Sequence, residues 1–204
     1  MLLRLPGTWF CPWSISPDGR FLLFSRNVAE TGSDLLLLDL EAAPGAESVK
    51  LFVASPGDQF GAAISPNGEW VAYYSNESGR HEILIEKFPE RGQKTWVWTG
   101  SYDPAVWSPD GRELYFTAPS TQGSRERDMM AVRVELTPTL GVSAPRRLFS
   151  GAFVNGNDMG RAFAITPDGR SFLLLRSHRD SATELLVVQN WFAELRRNQG
   201  ETDP

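Results

Sequence analysis

A five-residue corner occurs four times along this 204-residue chain. It reads Ser16-Pro17-Asp18-Gly19-Arg20, then Ser65-Pro66-Asn67-Gly68-Glu69, Ser108-Pro109-Asp110-Gly111-Arg112 and Thr166-Pro167-Asp168-Gly169-Arg170. The prolines stand 49, 43 and 58 residues apart. A self-similar period of this size signals a repeat architecture, and its irregularity signals loops of variable length on a common core. Each residue of the corner has a mechanical part. Proline presets φ for the first turn position, Asp or Asn bonds back to the backbone, and glycine takes the left-handed position that closes a bulged hairpin. The preceding Ser or Thr hydroxyl can cap the turn. Each corner should therefore join two antiparallel strands.

The flanks support that reading. Apolar runs precede each corner at 11–15, 60–64, 103–107 and 161–165. After each corner come Phe21-Leu22-Leu23-Phe24, Trp70-Val71-Ala72-Tyr73-Tyr74, Leu114-Tyr115-Phe116 and Phe172-Leu173-Leu174-Leu175. These second runs do not alternate with polar residues, so both faces of the strand should be covered. Third strands are expected at 35–40, 82–88, 129–136 and 184–189. Fourth, outer strands are expected at Val49–Val53, 95–98 and 146–149. Four strands per repeat at this spacing predicts an all-β β-propeller of four four-stranded blades, at about 7–54, 55–99, 100–150 and 151–192. The last blade lacks an outer strand of its own, and residues 1–6 are the candidate to supply it and close the ring. The other arrangements are half of a larger ring, with two chains forming an eight-bladed homodimer, and an open arc. Residues 191–197 carry a short helical pattern, and 193–204 form a polar tail.

Composition bounds the function. The chain is 41% hydrophobic and 22% charged, with a net charge of −5, which argues against a nucleic-acid footprint because such a surface needs a basic face. Two histidines are few for a zinc site, and one cysteine, Cys11, cannot form an internal disulfide. No run approaches a membrane span, and the first residues do not have the layout of a signal peptide. Localisation stays open, extracytoplasmic if the chain belongs to a longer exported protein and cytoplasmic otherwise. There is no Gly-x-Ser-x-Gly elbow, no kinase signature set and no phosphate-binding glycine loop.

The corners, with strands such as Asp34-Leu35-Leu36-Leu37-Leu38-Asp39-Leu40, resemble the TolB-like (PD40, WD40-like) β-propeller repeat. The ending Leu186-Val187-Val188-Gln189-Asn190-Trp191-Phe192-Ala193-Glu194-Leu195 is similar to the tail of the C-terminal sensor regions of bacterial serine/threonine kinases. What the resemblance implies is binding of a protein or small-molecule ligand, often outside the cytoplasm, and in TolB-type propellers a channel that tends to hold cations.

Propeller topology sorts the loops. Those leading into the inner strands, and those joining second and third strands, gather at the end opposite the corners, around the channel mouth. The leading loops carry Trp9, Phe10, Asp58, Gln59, Tyr102, Asp103 and Asp158. The second-to-third loops carry Arg26-Asn27, Asn76-Glu77, the insertion at 119–127 and His178-Arg179-Asp180. Trp9, Phe10, Asp58, Gln59, Tyr102, Asp103, Asp158 and His178 are the candidate ligand-binding residues of a non-catalytic sensor or binding module. Aromatic rings among them could stack a sugar or peptide, or could simply pack. Asp58, Asp103 and Asp158 recur at similar points in three blades. They are the candidate metal ligands of the alternative, a calcium-assisted hydrolase of a lactone or glycosidic substrate, since hard cations take carboxylate and carbonyl oxygens. The structural alternative for these acids is that they cap turns and stay solvated.

Overall fold

A computed structural model of the chain describes residues 9–43, 45–101, 103–121, 126–136, 139–153, 161–177 and 183–189. The described residues form antiparallel sheets and fall into two compact units, Met1–Gly100 and Ser101–Pro204. The first unit holds two four-stranded sheets. One is β1 (Phe10–Ile15), β2 (Phe21–Val28), β3 (Gly32–Asp39) and β4 (Val49–Val53) in that order. The other is β5 (Gln59–Ile64), β6 (Trp70–Ser75), β7 (Glu82–Lys87) and β8 (Lys94–Thr99).

In the second unit, β9 (Val106–Trp107), β10 (Glu113–Pro119) and β11 (Arg127–Glu135) pair in sequence. Their outer position is shared by β12 (Gly141–Val142) and β13 (Arg146–Gly151), both paired to β11. The last sheet is β14 (Phe163–Ile165), β15 (Ser171–Ser177) and β16 (Thr183–Gln189), three-stranded among the described residues. The segments at 1–6 and 191–197, and the polar tail at 193–204, lie outside the described residues.

Every corner folds by one hydrogen-bond pattern. The glycine N–H returns to the carbonyl of the Ser or Thr three residues earlier, at 2.8 to 2.9 Å. The Ser or Thr hydroxyl donates to the Asp or Asn side chain two residues on, and accepts the N–H of the residue that opens the next strand. Gly19, Gly68, Gly111 and Gly169 have φ of 75°, 72°, 71° and 70°, the left-handed region that glycine enters without steric cost. The local chemistry expected of the corners is the chemistry that forms.

Packing then follows from the second strands. All six residues of β6 are buried. Leu23, Leu35, Leu37 and Phe52 of the first sheet meet Val71, Tyr73 and Leu84 of the second in one core. The second unit has an equivalent core around Tyr115, Met129, Phe163, Phe172 and Leu174. A large apolar side chain buried this way contributes about 1.5–3 kcal/mol. β15 departs from the expectation of two covered faces: Phe172 and Leu174 are buried, whereas Leu173 and Leu175 remain 37% and 38% exposed.

Boundaries differ from the sequence expectation at several points: Phe10 and Gln59, expected in loops, open β1 and β5, and Pro119 and Arg127, expected in the insertion, end β10 and open β11. The inner strand placed at 103–107 shortens to Val106–Trp107, because Pro104 offers no N–H to a ladder. The strand placed at 161–165 begins at Phe163. Arg26 and Asn27, expected in a loop, lie inside β2, which pairs with β3 as far as Val28 and Gly32.

Candidate functional site

The end of the first unit where β1 and β5 begin is a lattice of main-chain and side-chain bonds. The turn between β2 and β3 docks on the loop that leads into β5. Gly57 donates its N–H to the Thr31 carbonyl at 2.8 Å, and Ser33 donates its N–H to Asp58 Oδ1 at 3.0 Å. Asp58 in turn donates its own N–H to Asn76 Oδ1 at 2.6 Å, and the Asn76 N–H returns to the Asp58 carbonyl at 3.2 Å. Ser55 Oγ donates to Glu77 Oε2 at 2.7 Å. Glu77 also pairs with Lys94, and the bonds from Lys94 and then Ser55 hold its carboxyl below the usual range. Half-buried Asp58 is thus a clamp between consecutive sheets.

Gln59 is fully buried. Its Nε2 donates to the Ser55 carbonyl at 3.2 Å and its Oε1 accepts the Ser55 N–H at 3.4 Å, so both ends of the amide are spent on its own loop. Trp9 and Phe10 present the opposite condition. They are 40% and 37% exposed, and they lead into β1, where Phe10 pairs with Arg26 and the Trp9 carbonyl accepts the Asn27 N–H at 3.4 Å. An aromatic series runs through the second sheet. Phe60 stacks on Tyr74 with ring centroids 4.1 Å apart, and the Tyr74 hydroxyl is hydrogen-bonded to His81 Nδ1.

Asp103, in the second unit, has no exposed surface. Its Oδ2 lies 3.3 Å from an Arg127 terminal nitrogen and accepts the Thr117 hydroxyl. Arg127 Nε donates to Thr117 Oγ1 at 3.0 Å, which closes the triangle. No signal in the sequence pointed to Arg127 as the partner, since it stands 24 residues away at the far side of a loop. Tyr102, Asp158 and His178 lie outside the described residues. Of the eight candidate residues the first unit brings Trp9, Phe10, Asp58 and Gln59 to one end, and the second unit holds Asp103 in an enclosed ion pair. Among the described residues no group of three or more His, Cys, Asp or Glu is arranged to hold a metal, and no helix is long and apolar enough to cross a membrane. Cys11 is half-buried, and burial pushes its thiol up.

At the corner side of the second unit, a cavity of about 790 Å³ opens between the Ser108–Glu113 corner and Asp168–Gly169, with Val134 and Leu136 on its wall. Glu113 there accepts from Tyr115 at 2.9 Å and from Arg146 at 2.6 Å.

No protein-family profile and no curated protein sequence matches the chain. Solved structures do. The β-propeller domain of the Trilobed protease from Pyrococcus furiosus aligns at a TM-score of 0.54 and 14% identity, over 87% of this chain and 54% of that one. The fold is a β-propeller. TolB from Acinetobacter baumannii aligns at a TM-score of 0.67 and 17% identity, over 89% of this chain and 41% of its own length. An oligogalacturonate lyase in complex with manganese aligns at 0.65 and 14% identity, over 94% of this chain and 54% of its own. This TolB-like β-propeller chain therefore spans between 41% and 54% of the length of these three structures.

Proposed function

We propose that this chain is a non-catalytic binding module that takes a protein or small-molecule ligand at the end where its inner strands begin. The observation that carries the reading is the exposure of Trp9 and Phe10, at 40% and 37%, beside a frame in which Asp58 and Asn76 tie the two sheets together. Large aromatic side chains offer contact area at low entropic cost, and a rigid frame lowers the cost of binding further. A sensor role of the kind found beside bacterial kinases rests on the tail at 186–195 and on nothing else.

The geometry favours binding over a calcium-assisted hydrolase. In that alternative Asp103 would have to exchange Arg127 and Thr117 for a cation, and Asp58 would have to release the Ser33 N–H. The test is an array of immobilised peptides and oligosaccharides probed with the full chain and with a Trp9→Ala/Phe10→Ala variant, beside a panel of ester, lactone and glycoside substrates. The expected result is a set of bound probes that the variant loses by about tenfold or more, a change of about 1.4 kcal/mol, with no substrate turned over. Probes bound equally by both proteins, or turnover that survives repurification, would overturn the reading.

A further inference from the structure

Arg26 occupies β2 with Phe10 as its partner on β1 and Asp34 as its partner on β3. Directly paired residues share a sheet face, so Phe10, Arg26 and Asp34 form one row across the first sheet. Phe24, two residues before Arg26, lies on the same face, its ring centroid 6.2 Å from that of Phe10. Phe24 is buried and Phe10 is 37% exposed, so the row runs from a covered core to an accessible ring.

The Nε of Arg26 is buried and has no hydrogen-bond partner. Among the described residues its guanidinium makes no ion pair either. Asp34, 4% exposed, gives its Oδ1 to the Thr31 hydroxyl at 2.9 Å. A buried donor on a permanently charged group is expensive to leave unmet, so an orphan of this kind calls for an acceptor. Arg26 as a whole is only half-buried, so a guanidinium in the same row as an exposed ring offers two complementary surfaces, one for an oxyanion and one for an apolar or planar group.

We propose that Arg26 binds the carboxylate of the ligand, with the apolar or planar portion next to that carboxylate lying against Phe10. The proposal rests on the binding-module reading and names the class of ligand. It selects a monoanion because the row of described residues holds a single cation with Asp34 directly across from it, so a doubly charged phosphate would meet the stronger repulsion.

The experiment uses the ¹⁵N-labelled full chain. The Arg26 Nε–H resonance is assigned as the one lost in Arg26→Lys, then followed while phenylacetate, phenylacetamide or phenyl phosphate is added. Phenylacetate should shift it saturably, phenylacetamide should leave it in place, and phenyl phosphate should bind more weakly than phenylacetate. Arg26→Gln and Phe10→Ala should each weaken phenylacetate by about tenfold. An Nε–H resonance unmoved by phenylacetate, or moved equally by the amide, overturns the proposal without using any variant. A shift on Asp34→Asn together with indifference to phenylacetate would assign the arginine to Asp34 instead, and would also overturn it. If Trp9→Ala/Phe10→Ala loses probes on the array while Arg26→Gln keeps them and phenylacetate is inert, the binding-module reading stands and Arg26 has no part in it. If neither assay responds, both fall.

Discussion

Asp58 Oδ1 accepts the main-chain N–H of Ser33 at 3.0 Å, so a side chain from the loop leading into the second sheet completes the backbone of the first. The contact is possible only because the two segments approach without side chains between them. A Cβ on Gly32 would stand 2.6 Å from the Gly57 carbonyl oxygen, and one on Gly57 would collide with the Asn76 amide.

That approach makes the cost of losing a glycine depend on its surroundings. Gly57 has a φ of 103° and the Asn76 side-chain amide against it, whereas Gly19 has a φ of 75° and open space around it. Gly19→Ala should cost about 1–2 kcal/mol, the left-handed penalty alone. Gly57→Ala should cost more, because the Asn76 contact must also break. Urea unfolding of both variants checks the order, and equal midpoints would remove the interlock from the account.

The enclosed pair of Asp103 and Arg127 should behave as a unit. Asp103→Asn or Arg127→Met alone strands a charge in a buried site and should destabilise the chain by about 3–5 kcal/mol. The double substitution should cost less than the sum of the two. Additive effects in a double-mutant cycle would mean that the two groups do not share an energy.

Acid should separate the corners by chemistry. The Ser108 hydroxyl, followed by the Arg112 N–H among smaller causes, holds the Asp110 carboxyl below its ordinary value of 3.8. A depressed folded pKa gives stability that is present above the unfolded value and disappears as pH falls through the folded one. Asn67, in the equivalent position of the second corner, does not titrate. Ser108→Ala should therefore destabilise the chain more at about pH 7 than at about pH 3, and Ser65→Ala by about 1 kcal/mol or more at both. Chemical denaturation at the two pH values reads the difference, and a Ser65→Ala penalty that fades in acid would contradict it.

Calcium is expected to leave the melting temperature unchanged, because the carboxylates of Asp58 and Asp103 already have partners within the protein. Differential scanning fluorimetry with calcium and with a chelator measures this. A rise on adding calcium that the chelator reverses would move the function toward the metal-assisted alternative.

The four corners, the order of strands around them and the β-propeller class are legible along the chain alone. Those features are local: Ser, Pro, Asp or Asn, and Gly act on residues two to five positions away, so their consequences can be read along the chain. The ends of the sheets take their form from contacts between distant segments. Asp103 reads as a solvated loop acid until folding brings Arg127 and Thr117 to it across a loop. Arg26 reads as a loop residue until the register of β2 against β3 places it opposite Asp34 and Phe10. Partners of this kind are separated in sequence and joined only by packing, and a charge has no partner until the sheet that carries it has formed.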